Sequence, residues 1–286
     1  MNAVIIGGGP AGVSAALYLV RAGIDTTIFT MGPGALAKAH KIENYYGFPE
    51  GIGGQELYEA GIAQAKSLGV KIVGEEILGI AFEEKLTALS KTGRYPADAF
   101  VFATGASRLA PPIEGLKEFE GKGVSYCATC DGYFYRGRKI AVIGYTEYAM
   151  SELTELMHLA ADSVLLTNGQ LPEAEVPAGA FLNTKKIARI SGEGRNIDTV
   201  TFEDGTEEKL DGIFVAWGSA GSAALAKKIG AVTDGNHIVT DEEMATNVPG
   251  VFAAGDCCGG LLQVAKAVRD GAVAGTSAVK YLRSLS

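Results

Sequence analysis

Apolar and polar positions along the chain fall into a plan that is written twice. Ala3-Val4-Ile5-Ile6 is an uninterrupted apolar run, as expected of a strand buried on both faces of a parallel sheet. Gly7-Gly8-Gly9-Pro10-Ala11-Gly12 interrupts it, Val13 to Arg21 reads as a helix, and Thr26-Thr27-Ile28-Phe29 reads as the next strand. In the middle of the chain, Lys139 to Ile143 reads as a strand, a turn starts at Gly144, Met150 to Ala160 reads as a helix, and Ser163 to Leu166 as a strand. The interval from Gly144 to Thr167 equals that from Gly7 to Thr30, and Asp162 falls where Asp25 does. Three more apolar runs end in glycine turns: Phe100 to Gly105, Asp211 to Gly218 and Val251 to Asp256. Leu261 to Leu282 then reads as a long final helix.

Strand, GxGxxG, helix, strand is the fingerprint of dinucleotide binding. Gly7 permits the sharp turn, Gly9 lets a pyrophosphate approach the backbone, and Gly12 lets helix and strand pack closely. The acidic residue that usually holds the ribose is replaced by Thr30, whose hydroxyl can still bond to it. The repeat predicts an α/β protein of two Rossmann-like, three-layer domains. Pro111-Pro112 marks a stiff connection, and the boundaries are expected near 111–116 and 240–246. The second domain, 112–243, is thus expected to be inserted into the first, 1–111 with 244–286.

Composition narrows the function. With 286 residues, 47% of them hydrophobic, the chain can bury two cores. A net charge of −8 argues against a non-specific nucleic-acid binder, which needs a basic face. No apolar run has the length of a membrane span, and the first strand begins by Ala3, so a cytoplasmic location is expected. The four cysteines are Cys127, Cys130, Cys257 and Cys258. A lone CxxC fits redox chemistry or half of a zinc site; zinc wants four ligands, and the chain has three scattered histidines, His40, His158 and His237. Cys257 and Cys258 either fill a tight turn as small residues or join an electron path. Trp217, the single tryptophan, is expected in a core, with a shield for a cofactor as the other reading.

GGGPAG at 7–12, IENYYGFP at 42–49, ATGA at 103–106, CATCDG at 127–132 and AAGD at 253–256 together resemble the low-molecular-weight thioredoxin reductases, in order and spacing along essentially the whole chain. The resemblance implies an FAD domain built from both chain ends, a middle domain carrying the dithiol, thioredoxin as substrate and a homodimer. It assigns FAD to Gly7, Gly9, Pro10, Ala11, Gly12, Thr30, Asn44, Ala103, Thr104, Gly105, Gly255, Asp256 and Gln263. It makes Cys130 the thiol facing the flavin, Cys127 the thiol that attacks thioredoxin, and Asp131 the general acid/base that moves the thiol proton.

The middle domain departs from the family pattern. Its turn is Gly144-Tyr145-Thr146-Glu147-Tyr148-Ala149, so Thr146 stands on Gly9 and Ala149 on Gly12. The basic HRRxxxR run that grips the 2′-phosphate of NADPH is absent; no Lys or Arg occurs between Lys139 and Lys185. Losing such charge-assisted pairing costs roughly 2–5 kcal/mol. The departure resembles a subgroup of flavin thioredoxin reductases that take electrons from reduced ferredoxin. The alternatives are a variant NADPH or NADH site, a dithiol oxidase that delivers electrons to oxygen, or a flavin-bearing sensor. Arg136, Arg138 and Lys139, or Lys185, Lys186 and Arg189, are basic clusters that either meet an acidic ferredoxin or simply face solvent.

Overall fold

A computed structural model describes residues 1–105, 110–126, 128–192, 196–218 and 221–285. Along the chain come β1 (Asn2–Ile6), α1 (Pro10–Arg21), β2 (Asp25–Phe29), α2 (Gly54–Ser67) and β3 (Lys71–Val73). Then follow β4 (Ile77–Phe82), β5 (Leu86–Ser90), β6 (Arg94–Ala97), β7 (Ala99–Phe102), β8 (Val124–Ser125) and the short α3 (Ala128–Asp131). Next are β9 (Lys139–Ile143), α4 (Glu147–Met157), β10 (Asp162–Leu166), β11 (Phe181–Asn183), β12 (Ile187–Ser191), β13 (Thr199–Phe202), β14 (Glu207–Lys209) and β15 (Gly212–Val215). The chain ends with α5 (Ser222–Lys228), the strands β16 (Thr233–Asp234), β17 (His237–Ile238) and β18 (Val251–Ala253), and α6 (Val264–Ser284).

The chain divides into two compact units, Met1–Ser107 with Gly221–Ser286, and Arg108–Ala220. The return to the first unit therefore falls at residue 221, upstream of the 244 expected from sequence. The reason is packing: α5 lies against β4 and β17, and β17 lies against the turn that follows β18.

Unit 1 is built on a parallel sheet in the order β18-β7-β1-β2-β3. Its central strand pairs Ile5 with Ile28 on one side and with Val101 on the other. All four side chains of β7 are buried, as its apolar sequence requires. Unit 2 repeats the plan with β11-β10-β9-β15-β8, also parallel. Each unit adds a three-stranded antiparallel sheet, β4-β5-β6 in the first and β12-β13-β14 in the second. The fold is thus α/β with two Rossmann-like units.

The two strand-to-helix turns coincide bond for bond. Gly7 N donates to Phe29 O at 2.8 Å, and Gly144 N to Leu166 O at 3.1 Å. Val13 N reaches Gly9 O at 2.9 Å, and Met150 N reaches Thr146 O at 3.1 Å. In each, the neighbouring strand end presses a carbonyl against the first glycine: a Cβ would lie 2.1 Å from Ala103 O at Gly7 and 2.3 Å from Ala216 O at Gly144. Helix α4 starts at Glu147, three residues before the expected Met150, because Thr146 takes the extended N-cap conformation that Gly9 takes before α1.

In unit 1, α1 and α6 meet through small residues. A Cβ at Gly271 would sit 2.1 Å from Ala11 O, one at Gly275 would sit 2.6 Å from Ala15 O, and Ser14 Oγ donates to Val268 O at 2.8 Å. That approach locks the last helix onto the first.

These distances predict different outcomes for three glycines. Gly144→Ala and Gly12→Ala drive a Cβ into backbone and should each cost about 2–4 kcal/mol in urea denaturation. A Cβ at Gly9 would meet nothing within 4 Å, so Gly9→Ala should stay within about 1 kcal/mol of the parent in FAD-free protein.

Candidate flavin and dithiol sites

The residues expected to hold FAD converge on one end of the unit 1 sheet. Gly7 has φ +114°, possible at little cost only for glycine, and carries the turn past Ala103 and Thr104. Gly12 closes the turn from within: a Cβ there would lie 1.9 Å from Gly7 O. Gly255, φ +83°, brings the AAGD turn against Ala11 Cβ, 2.9 Å from where its own Cβ would be. Pro10 opens α1 at N1, where its missing N–H costs nothing. Thr30 is buried at the end of β2; its hydroxyl accepts from Gly32 N at 3.2 Å and lies 3.4 Å from Tyr58 OH. Asn44 and Gln263, far apart in sequence, are joined by an Nδ2–Oε1 hydrogen bond of 2.9 Å. Gln263 is the N-cap of α6, whose first turn holds no acidic residue.

Two features fit this end of the sheet to FAD. The face of Gly9 is open, where a diphosphate must approach the N–H groups at the start of α1. Thr104 Oγ1 is buried without a hydrogen-bond partner among the described residues. A buried hydroxyl left unpaired costs about 1–3 kcal/mol, which a cofactor oxygen or nitrogen would relieve.

Lysine 266 and Asp270, which the sequence reading did not single out, organise the AAGD turn. Lys266 Nζ donates to Gly255 O at 2.8 Å and Gly259 O at 2.6 Å, and pairs with Asp270 Oδ2 at 2.9 Å. Asp270 is 1% exposed; it also accepts from Gly255 N at 3.3 Å and from Arg269 at 3.0 Å. Their i,i+4 spacing on the amphipathic final helix was the available signal. Burial pushes the Asp256 carboxyl above its ordinary value; Asp270 pushes the same way, and Lys266 opposes both.

Cys257 fills the turn as a small buried residue, its thiol 3.3 Å from Ala254 O and 3.5 Å from Phe102 O. Cys258 beside it is half-buried.

Ala106 of the ATGA motif in unit 1 and Cys127 in unit 2 lie outside the described residues, and of Cys130 only the backbone is described, in α3. Asp131, at the end of α3, accepts a 2.6 Å hydrogen bond from Ser125 Oγ on β8. Ala128 N, next to Cys127, donates to Glu152 Oε2 at 3.2 Å. Glu152 is 2% exposed, a carboxylate on the apolar face of α4 beneath the dithiol helix. An acid flanked by Tyr148, Ala149 and Leu153 was legible as out of pattern, but sequence gave it no partner.

The second nucleotide turn is filled. Thr146, 7% exposed, sends its hydroxyl to Gly218 O. Tyr145 packs edge-to-face on Trp217 with ring centroids 4.9 Å apart, and Tyr145 O accepts from Glu173 N at 2.7 Å. Trp217 thus packs at the rim of the unit 2 core.

Comparison with known proteins decides the family. The profile of the pyridine nucleotide-disulphide oxidoreductases matches residues 1–175 and 180–271. A thioredoxin reductase from Listeria monocytogenes is 35% identical over 99% of this chain and 94% of its own. The chain belongs to the thioredoxin reductases. It is similar in structure to the atypical thioredoxin reductase TRi from Desulfovibrio vulgaris Hildenborough, with a TM-score of 0.94 and 39% identity over 99% of this chain and 98% of that one. It is also similar to a ferredoxin-flavin thioredoxin reductase from Clostridium acetobutylicum, with a TM-score of 0.74 and 30% identity over 99% of this chain and 98% of that one. As in other thioredoxin reductases, the cofactor is FAD. Among the described residues, no helix is long and apolar enough to cross a membrane and no cluster of His, Cys, Asp or Glu is arranged to hold a metal.

Thr104→Val tests the fit. Without FAD it should leave stability unchanged or slightly raised, since it removes an orphaned hydroxyl. With FAD it should weaken binding about 5- to 10-fold, the worth of one hydrogen bond, measured by flavin release on dilution.

Proposed function

We propose that this thioredoxin reductase receives its electrons from reduced ferredoxin rather than from a pyridine nucleotide. One observation carries the proposal. The internal repeat sets Tyr145 and Thr146 of unit 2 on Gly8 and Gly9 of unit 1, and the strand ends that press on Gly7 and Gly144, Ala103 and Ala216, are followed by Thr104 and Trp217. Where unit 1 leaves open space over Gly9, unit 2 holds a β-branched side chain clasped to Gly218 and an aromatic pair. Admitting a diphosphate would mean breaking the Thr146 clasp and the Tyr145–Trp217 pair, the latter worth about 0.5–1.5 kcal/mol beyond its burial. Glu147 then adds a negative charge in the first turn of α4, opposing an anionic ligand where the helix would otherwise favour one. The similarity to the ferredoxin-flavin thioredoxin reductase of Clostridium acetobutylicum supports the same donor.

FAD supplies a carrier that can be filled one electron at a time and emptied two at a time. The chain's residues do the rest. Gly7, Gly9, Pro10, Ala11, Gly12 and Thr30 hold the adenosine diphosphate portion; Ala103, Thr104, Gly105, Gly255 and Asp256 hold its centre; Asn44 and Gln263 flank the ring system. Cys130 exchanges with the flavin, and Cys127 attacks the disulfide of thioredoxin. Asp131, oriented by Ser125, moves the thiol proton. Tyr133 and Phe134 follow the dithiol helix at 69% and 72% exposure and offer an apolar landing surface for thioredoxin. By resemblance the enzyme works in the cytoplasm as a homodimer.

Anaerobic mixing with each donor separates the readings. Reduced ferredoxin should bleach the flavin within seconds and support reduction of thioredoxin, with loss of at least about a thousandfold in Cys127→Ser. Stoichiometric NADPH or NADH should leave the flavin spectrum unchanged. Fast bleaching by NADPH would instead make the chain a pyridine-nucleotide-dependent thioredoxin reductase with an unusual site.

A further inference from the structure

The AAGD turn carries two thiols that the thioredoxin reductase reaction does not use. Cys257 and Cys258 follow Asp256 directly, and their sulfurs lie 3.9 Å apart. Their surroundings differ. Cys257 is fully buried, its S–H directed into a ring of acceptors: Phe102 O, Ala254 O and Cys258 Sγ. Cys258 is half-buried and open to solvent on one side. The Lys266 ammonium is anchored on Gly255 O and Gly259 O, the carbonyls that bracket the pair. An S–H donor and a fixed ammonium beside one accessible sulfur are the elements that make a thiol nucleophilic.

We propose that Cys257 and Cys258 form a second redox site, in which Cys258 reacts with a hydroperoxide and Cys257 resolves the product as a vicinal disulfide. The Cys258 thiolate attacks the O–O bond: an S–O bond forms, the O–O bond breaks, and the distal oxygen leaves as water or an alcohol after taking a proton. Cys257 sulfur then attacks Cys258 sulfur. The S–S bond forms, the S–O bond breaks, and the hydroxide leaves as water with the Cys257 proton. In sum, two thiols and one hydroperoxide give one disulfide, one water and one water or alcohol; the two electrons pass from sulfur to oxygen.

The electrostatics assign the two roles. Accepting the Cys257 S–H bond lowers the Cys258 thiol; Lys266 and a hydrogen bond from Thr240 lower it further, against burial and the Asp270 carboxylate. Cys257 is pushed well up, first because its S–H bond to Cys258 holds the proton and then by burial. The attacking thiol is therefore Cys258, and the buried one waits as the resolving thiol. Closing the bond must draw the sulfurs from 3.9 Å to about 2.05 Å. That withdraws Cys257 from Phe102 O and Ala254 O and pulls on the turn that holds Asp256, so oxidation is coupled to the flavin site.

The holoenzyme tests this directly, because tryptic cleavage places both residues, and no other cysteine, in the peptide 229–266. On treatment with one equivalent of hydrogen peroxide, that peptide should lose about 2 Da and recover it with dithiothreitol. In Cys257→Ser, Cys258 should stop at the sulfenic acid, about 16 Da heavier and trapped by dimedone. In Cys258→Ser the peptide should react at least about tenfold more slowly. Retention of bound FAD checks the fold of each variant. An unchanged peptide in the unmodified holoenzyme, or equal reaction rates in the two variants, would overturn the proposal.

Discussion

A backbone carbonyl placed where a side chain would begin is the constraint on which this molecule depends. In each unit a parallel strand ends with its carbonyl against the first residue after β1 or β9, and no Cβ can stand there. Glycine is therefore required, and the helix begins three residues later with its free N–H groups directed at the end of the sheet. The hydrogen bonds around the turn fix everything within reach. Strand order, helix start and the exit of the next strand are the same in both units because they are consequences of that contact. What differs is left to the residues the contact does not constrain.

Those residues divide one fold into two chemistries. At the open positions, unit 1 carries Gly9 and an unpartnered Thr104 hydroxyl, and unit 2 carries Thr146 and Trp217. In unit 2 side chains pack on one another at the place where unit 1 leaves the face of Gly9 open. A Rossmann unit that seals its own mouth keeps its value as a platform, because the dithiol helix α3 still has Ser125 on β8 and Glu152 on α4 to hold it. The filled turn of unit 2 and the open turn of unit 1 therefore differ in side chains alone, on the same backbone.

Much of this was legible in the sequence, for identifiable reasons. The buried parallel strands read as apolar runs, so β9 was placed to the residue, β1, β2 and β10 to within one, and β7 in part, and the internal repeat showed that the two units share one plan. Helices α1 and α4 both begin three residues before the expected Val13 and Met150, because Pro10 to Gly12 and Glu147 to Ala149, read as turn, already form the first helical turn. The antiparallel sheets, α2 and α5 went unread; β6, β12 and β14 are short and partly exposed, whereas β4 is an apolar run that the reading passed over. Of the cofactor residues, the glycines announced themselves through spacing. Lys266 and Asp270 did not, because a lysine and an aspartate one turn apart on an amphipathic helix ordinarily face solvent. Only the fold shows that this pair is turned inwards onto the AAGD carbonyls.

One ammonium serves three acidic groups at that turn, and how it is shared sets their charges. Lys266 makes its ion pair with Asp270, which is almost wholly buried and takes the short contact. Asp256 receives only the through-space remainder, and burial together with Asp270 outweighs it, so its proton is held to higher pH than in the unfolded chain. The sign follows: the stability contributed by that proton is fully present below the ordinary carboxylate range and lost as pH rises through the folded value. Cys258 moves the other way because it gains an S–H donor that Asp256 lacks. A diphosphate arriving at the neighbouring Gly9 face adds negative charge to the same balance. It raises the cost of an ionised Asp256 and increases the demand on Lys266. The direction of the Asp256 shift and the depth of the Lys266–Asp270 pair thus share one cause, the burial of this turn.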